Sequence, residues 1–139
     1  MSELPKSIEI HEEGPREGFQ IEPGPISTGD KIAFIDALSE TGLTEIQVAS
    51  FVNPKRVPGW ADAEDVVAGI RKSPGIAYTA LWLNERGLQR ALQAEGLAMR
   101  GSISNCASEG FMIRNMNRDR KANVQVQHKQ LELYRKPGV

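Results

Sequence analysis

The sequence predicts an α/β fold, the first four βα units of a (β/α)₈ TIM barrel, from three observations. Short β-branched runs alternate with longer helical patterns, the signature of parallel βα units. The joints Thr41-Gly42-Leu43, Pro74-Gly75-Ile76, Glu95-Gly96-Leu97 and Pro137-Gly138-Val139 share one pattern of helix stop, glycine and first apolar residue. Long polar loops follow the strands, where a barrel builds its active site. An open doubly wound sheet suits the chain less well. Gly14, Gly18 and Gly24 do not match G-x-G-x-x-G, and no G-x-x-x-x-G-K-[ST] occurs. The fourth joint leads into nothing, so the rhythm reads as cut before a fifth strand. Residues 1–139 are then one partial barrel domain with two open sheet edges.

Ser7 to His11 alternates at period 2 and predicts the first strand, followed by a Gly/Pro-rich loop from Glu12 to Pro25. Ser27 or Thr28 opens the first helix, with Asp30 at capping-box spacing from Ser27. Ile32, Ile35 and Leu38 give its buried stripe, and Gly42 ends it. Glu45 to Ala49 is strand two, and Asp62 is a plausible N-cap for a helix reaching Lys72. Ile76 to Trp82 is strand three, and Asn84 caps a helix turning Leu88, Ala91 and Leu92 inward. Ala98 to Ser104 is strand four. A last helix spans roughly Asp119 to Lys136 with Val124, Leu131 and Tyr134 on one face.

At 40% hydrophobic and 25% charged residues the chain is of ordinary globular type. A net charge of -1 gives no reason to expect nucleic acid or a membrane surface as partner. The charge is unevenly spread. Residues 1–85 carry 7 Lys and Arg against 14 Asp and Glu, and residues 86–139 carry 10 against 4. The basic half either meets an anionic ligand or is a solvated helix face, and the latter is the commoner cause. The single cysteine, Cys106, excludes an internal disulfide and suits a reducing compartment. With no signal-like start and no apolar run of ~20 residues, a cytoplasmic location is expected.

Chemistry is carried by three loops. The first, Gly14-Pro15-Arg16-Glu17-Gly18-Phe19-Gln20, sets a permanent cation beside a carboxylate at a strand end. Arg16 can donate paired hydrogen bonds to an oxyanion, and Glu17 can ligate a hard divalent cation. The two can equally form a surface ion pair in a turn. The second loop, Ser50 to Pro58, is stiffened by Pro54 and Pro58 and carries Lys55 and Arg56, for cofactor phosphates or simply for solvent. The third, Ser104 to Asn117, is dense in Asn, Ser and Glu. These line a pocket or cap the following helix. Cys106 has no histidine at a revealing spacing, and His11 and His128 match no metal-ligand pattern. Met112 and Met116 read as packing.

In order, these loops resemble those of the 3-hydroxy-3-methylglutaryl-CoA lyases, barrel metallolyases of the Asp-Arg-Glu type. That family's G-P-R-D-G-L-Q stands here as G-P-R-E-G-F-Q, Gly14 to Gln20. Its S-F-V-x-P-K-x-V-P stands as Ser50 to Pro58, and its A-S-E-x-F with N-x-N as Ala107 to Phe111 and Asn115 to Asn117. The resemblance runs over roughly residues 7 to 136. It implies cleavage of a 3-hydroxyacyl-CoA to acetyl-CoA and a keto acid. In that reaction Arg16 stabilises the enolate oxygen and Glu17 holds Mg²⁺ or Mn²⁺. Gln20, Gln47 and Ser50 line the substrate pocket, Lys55 meets the CoA arm, and the protein is a homodimer.

Two departures bear on the substrate. Glu17 is one methylene longer than the family's Asp. Gln47 stands where the family usually has Glu, so a charge is lost. The family's H-x-H ligands, its Asn ligand and its cysteine loop are not among these 139 residues, so the chain alone is expected to be inactive. A Claisen-type synthase on the same barrel is the neighbouring alternative, and the Ser50 to Pro58 loop favours the lyase. A non-catalytic fragment that binds CoA or a partner chain is the third reading.

Overall fold

The computed structural model describes residues 4–135. Three parallel strands, β1 (His11–Glu12), β2 (Glu45–Ser50) and β3 (Ala77–Leu81), form a sheet in the order β1-β2-β3. The helices are α1 (Gly14–Ile21), α2 (Thr28–Leu38), α3 (Ala63–Gly69), α4 (Glu85–Gln93), α5 (Glu109–Met116) and α6 (Arg120–Tyr134). A 3₁₀ turn covers Pro58–Trp60. The chain divides into two compact units between Ala98 and Met99.

In the first unit the caps form where the residue types require. The Ser27 hydroxyl accepts from the Asp30 N–H at 3.1 Å, and the Asn84 side chain accepts from the Gly87 N–H at 2.9 Å. Three helix-to-strand joints carry left-handed glycines, Gly42, Gly75 and Gly96 at φ 90°, 86° and 82°. The fourth joint lies outside the described residues. Ile35, Leu88 and Ala91 are buried as expected, whereas Ile32 and Leu38 are half-buried and Leu92 is exposed.

The strand register divides the sheet into two unlike faces. Residues paired across parallel strands point the same way. Ile46 pairs with Tyr78, and Ala49 with Ala80. These four are buried and share the apolar core with Ile35, Val66 and Val67. His11, Glu45, Gln47 and Thr79 share the opposite, polar face. A register shift between Gln47 and Ala49 accommodates Val48 and inverts the alternation, so Ser50 joins Gln47 on the polar face.

Several expectations are corrected. Strand one is His11–Glu12 rather than Ser7 to His11, because β2 starts at Glu45 opposite His11 and offers no earlier backbone to pair; Ile8 and Ile10 are exposed. The first loop contains α1: Pro15 occupies its first turn, where a missing N–H costs nothing. The fourth segment goes no further as a strand than the Ala98 N–H, which donates to the Tyr78 carbonyl at 2.7 Å. Asp62 sits at the N-cap of α3 but makes no cap bond, because its carboxylate is taken by other donors.

Those donors form a buried cationic clasp. Lys31 is 3% exposed; its ammonium donates to Asp62 at 2.6 Å and to the Gly59 carbonyl at 2.5 Å, and lies 5.1 Å from the Trp60 ring centre. Thr28 adds a hydroxyl donor to Asp62 at 2.6 Å. The clasp ties α2 to the segment after β2. The backbone of α1 leaves no room for a side chain at Gly59, where a Cβ would meet the Phe19 carbonyl at 2.7 Å.

The second unit runs from Met99 and contains α5 and α6. The Ser108 hydroxyl caps α5, Asn117 ends it in the left-handed region at φ 53°, and Asp119 caps α6. The loop expected from Ser104 to Asn117 is therefore half helix. The buried face of α6 also differs: Asn123 and Gln130 are buried, and Val124 is 42% exposed. Asn123 is buried because its amide donates to the Ser104 carbonyl at 3.1 Å, so a hydrophobicity pattern cannot see it. Lys136 lies outside the described residues.

Burial alone would raise the pKa of Asp62, but hydrogen bonds from Lys31 and Thr28 hold it below its ordinary 3.8. A lowered folded-state pKa gives stability that is present above the ordinary value and lost as pH falls through the folded one. Asp62→Ala, which strands the Lys31 charge, should cost about 3 kcal/mol in urea unfolding at pH 7. The difference from wild type should shrink below pH 3.8. A pH-independent difference contradicts the pairing.

Candidate active site

Arg16 is the centre of the polar face. It sits in the first turn of α1, directly after β1, and is 8% exposed. Its backbone carbonyl accepts from Trp60 Nε1 at 3.0 Å, which anchors the helix start to the 3₁₀ turn. The guanidinium is engaged on three sides. Nε donates to Gln47 Oε1 at 2.5 Å, Nη2 donates to Glu13 Oε2 at 2.6 Å, and Nη1 pairs with Glu17 Oε1. A buried cation needs such acceptors, because its hydration is lost.

Gln20 Nε2 donates to the other Glu17 oxygen at 2.8 Å, so the carboxylate lies between an amide and a guanidinium with its side chain 51% exposed. Ser50 is fully buried, and its hydroxyl has no hydrogen-bond partner; Thr79 Oγ1, on the same sheet face, is also buried without one. Unsatisfied buried hydroxyls call for an explanation, and a ligand group is one.

Arg16, Glu17, Gln20 and Gln47 are thus brought together, with Ser50 on the same face of β2. Lys55 is not part of this cluster. It lines a separate cavity of about 670 Å³ with Asn53, Asn84, Arg86 and Arg90. Arg90 binds Glu64 through two bonds of 2.6 and 2.8 Å, which raise the Arg90 pKa and lower that of Glu64. Glu13, Arg86 and Thr79 escaped sequence reasoning. Glu13 acquires its partner only once α1 is helical and Arg16 falls three residues further on.

The chain is 43% identical over 122 residues to the hydroxymethylglutaryl-CoA lyase of Bacillus subtilis, covering 88% of this chain and 40% of that one. It is 45% identical over 114 residues to the 3-hydroxy-3-isohexenylglutaryl-CoA/hydroxymethylglutaryl-CoA lyase of Pseudomonas aeruginosa, covering 82% and 37%. Over most of its length this chain is similar to the first part of hydroxymethylglutaryl-CoA lyases. It spans about two fifths of the length of the curated lyases it matches. No protein-family model matches it. Among solved structures, an HMG-CoA lyase of Acinetobacter baumannii in complex with coenzyme A and 3-methylmalate superposes with a TM-score of 0.82 at 30% identity. That match covers 97% of this chain and 44% of the neighbour. An α/β arrangement with a parallel sheet is what the two share.

Because Ser50 Oγ makes no bond, removing it relieves a buried polar atom rather than breaking a contact. Ser50→Ala should raise folding stability by about 1 kcal/mol in chemical unfolding. A loss of similar size would show that the hydroxyl has a protein partner.

Proposed function

We propose that the full-length protein cleaves 3-hydroxy-3-methylglutaryl-CoA, or a related 3-hydroxyacyl-CoA, to acetyl-CoA and a keto acid. In this reading residues 1–139 are one partial TIM-barrel domain and supply its first four βα units. The polar sheet face is the barrel interior, the acyl-CoA is the partner, and the cytoplasm and a homodimer follow from the single thiol and from the family. The observation that carries the reading is the Arg16 guanidinium, buried and oriented at the C-terminal edge of parallel strands above a polar face.

The reaction removes the proton of the tertiary hydroxyl and breaks the bond between the hydroxyl carbon and the thioester methylene. The bonding pair passes to the thioester fragment as an enolate, which takes a proton to become acetyl-CoA. The hydroxyl carbon becomes the ketone. Arg16 supplies fixed N–H donors where the enolate oxygen gains charge, without reorganisation at that moment. Gln47 sets the plane of the guanidinium through Nε, and Ser50 offers an uncommitted hydroxyl to a substrate oxygen. Lys55, beside Arg86, is placed for the phosphates of the CoA arm.

Glu17 is suited to a divalent cation, Mg²⁺ or Mn²⁺, because its carboxylate is half-exposed and offers hard oxygen donors. Among the described residues no three His, Cys, Asp or Glu are grouped to hold an ion, so Glu17 is one ligand of a larger set. When bound, such a cation polarises the substrate hydroxyl and lowers its pKa. Glu17 and Gln47 differ from the usual family residues, and the Acinetobacter relative holds 3-methylmalate, a hydroxy diacid. Both support a substrate range that extends beyond the 3-hydroxy-3-methylglutaryl thioester.

Arg16→Gln in the full-length protein should lower kcat by about 10²–10³-fold with the fold retained by circular dichroism. Turnover near wild type would remove Arg16 from the mechanism. Glu17→Gln should weaken Mn²⁺ binding seen by electron paramagnetic resonance. Undiminished affinity would remove Glu17 from the ligand set.

A further inference from the structure

We infer that Glu13 is a positioning residue, supplying the countercharge for Arg16 that strand β2 does not. The inference rests on the reading of Arg16 as the enolate-binding group. Three acceptors surround the guanidinium, and they are not equivalent. Gln47 is neutral, so its bond at Nε orients the group without balancing its charge. Glu17 is charged, but it is also the group suited to a divalent cation, and a carboxylate drawn toward a cation has less negative charge to give Arg16. Glu13 is the remaining carboxylate, at 2.6 Å from Nη2.

The geometry separates holding from reacting. Nε and Nη2 lie along one side of the guanidinium fork, and Gln47 and Glu13 occupy that side. Nη1, at the end of the fork, pairs with Glu17 and becomes the donor an incoming oxygen can take when Glu17 turns to a cation. The backbone of Glu13 is fixed independently of Glu17's side chain. Glu13 is the N-cap residue of α1, and its carbonyl accepts from the Glu17 N–H at 2.9 Å. A carboxylate in this place keeps the cation's plane and charge balance through the cycle. The Glu13–Arg16 pair therefore does for this chain what an acidic residue at position 47 could do from the strand.

The test uses the full-length protein and three variants. Glu13→Gln should lower kcat by about 10–100-fold with KM nearly unchanged and Mn²⁺ affinity unchanged. Adding Gln47→Glu to Glu13→Gln should restore kcat to within a few-fold of wild type, because charge returns to the same fork side. Glu13→Asp should retain most activity. A merely structural role for Glu13 predicts no rescue from position 47. Nitrogen-15 resonances of the Arg16 guanidinium give an activity-free readout. Wild type should show restricted rotation about the Nε–Cζ bond, lost in Glu13→Gln and regained in the double variant. Unchanged kcat in Glu13→Gln, or a double variant no better than the single, overturns the proposal. If wild type has no lyase activity the proposed function fails, and the guanidinium resonances alone decide for or against the Glu13 clamp.

Discussion

A guanidinium taken out of water has to be met on several sides at once, and that requirement organises the first unit of this protein. Arg16 is 8% exposed, so its N–H groups are met by Glu13, Glu17 and Gln47, and its charge is balanced by the two carboxylates. Two of these partners come from the start of α1 and one from the middle of β2. The strand end, the helix start and the neighbouring strand must therefore be held in one register. The β2 irregularity at Val48 belongs to the same constraint. It leaves Gln47 beneath the guanidinium and turns Ser50 onto the same face, where simple alternation would have sent it into the apolar core.

A second buried cation secures the first. Lys31 holds Gly59 and Asp62 and lies over Trp60, while the Trp60 indole N–H holds the backbone of Arg16. Helix α2, the 3₁₀ turn and α1 are thus linked through one aromatic side chain. Phe19 packs at 5.8 Å from Trp60 and 5.7 Å from Phe34, which closes the apolar side of that link. The site charge and the core are parts of one packed arrangement.

Much of this was legible because its signals are local. Strands β2 and β3, the caps at Ser27 and Asn84, and the glycine joints at 42, 75 and 96 fall where residue types predict them. Arg16 and Glu17 stand out in the first loop, Gln20 and Gln47 enter through the family resemblance, and the four are found together. The misses share a cause. Helix α1 contains two glycines and a proline, which read as a loop until the proline is placed in the first turn. Asp62 has the cap's position, yet Lys31 and Thr28, far away in sequence, take its carboxylate. Asn123 is buried through a backbone partner, so the polar residue displaced Val124 from the inward face of α6. Glu13 looks like one more surface carboxylate until the helix turns Arg16 toward it.

The central claim is that the Arg16 guanidinium meets the oxygen of a departing thioester fragment. It is tested most directly by a crystal structure of the full-length protein with a divalent cation and a non-cleavable thioester analogue of coenzyme A. The account predicts an Arg16 Nη1 to thioester oxygen distance of about 2.8 Å, with Nε still on Gln47. A guanidinium that remains on Glu17 while the thioester oxygen takes its bonds from other donors would contradict it.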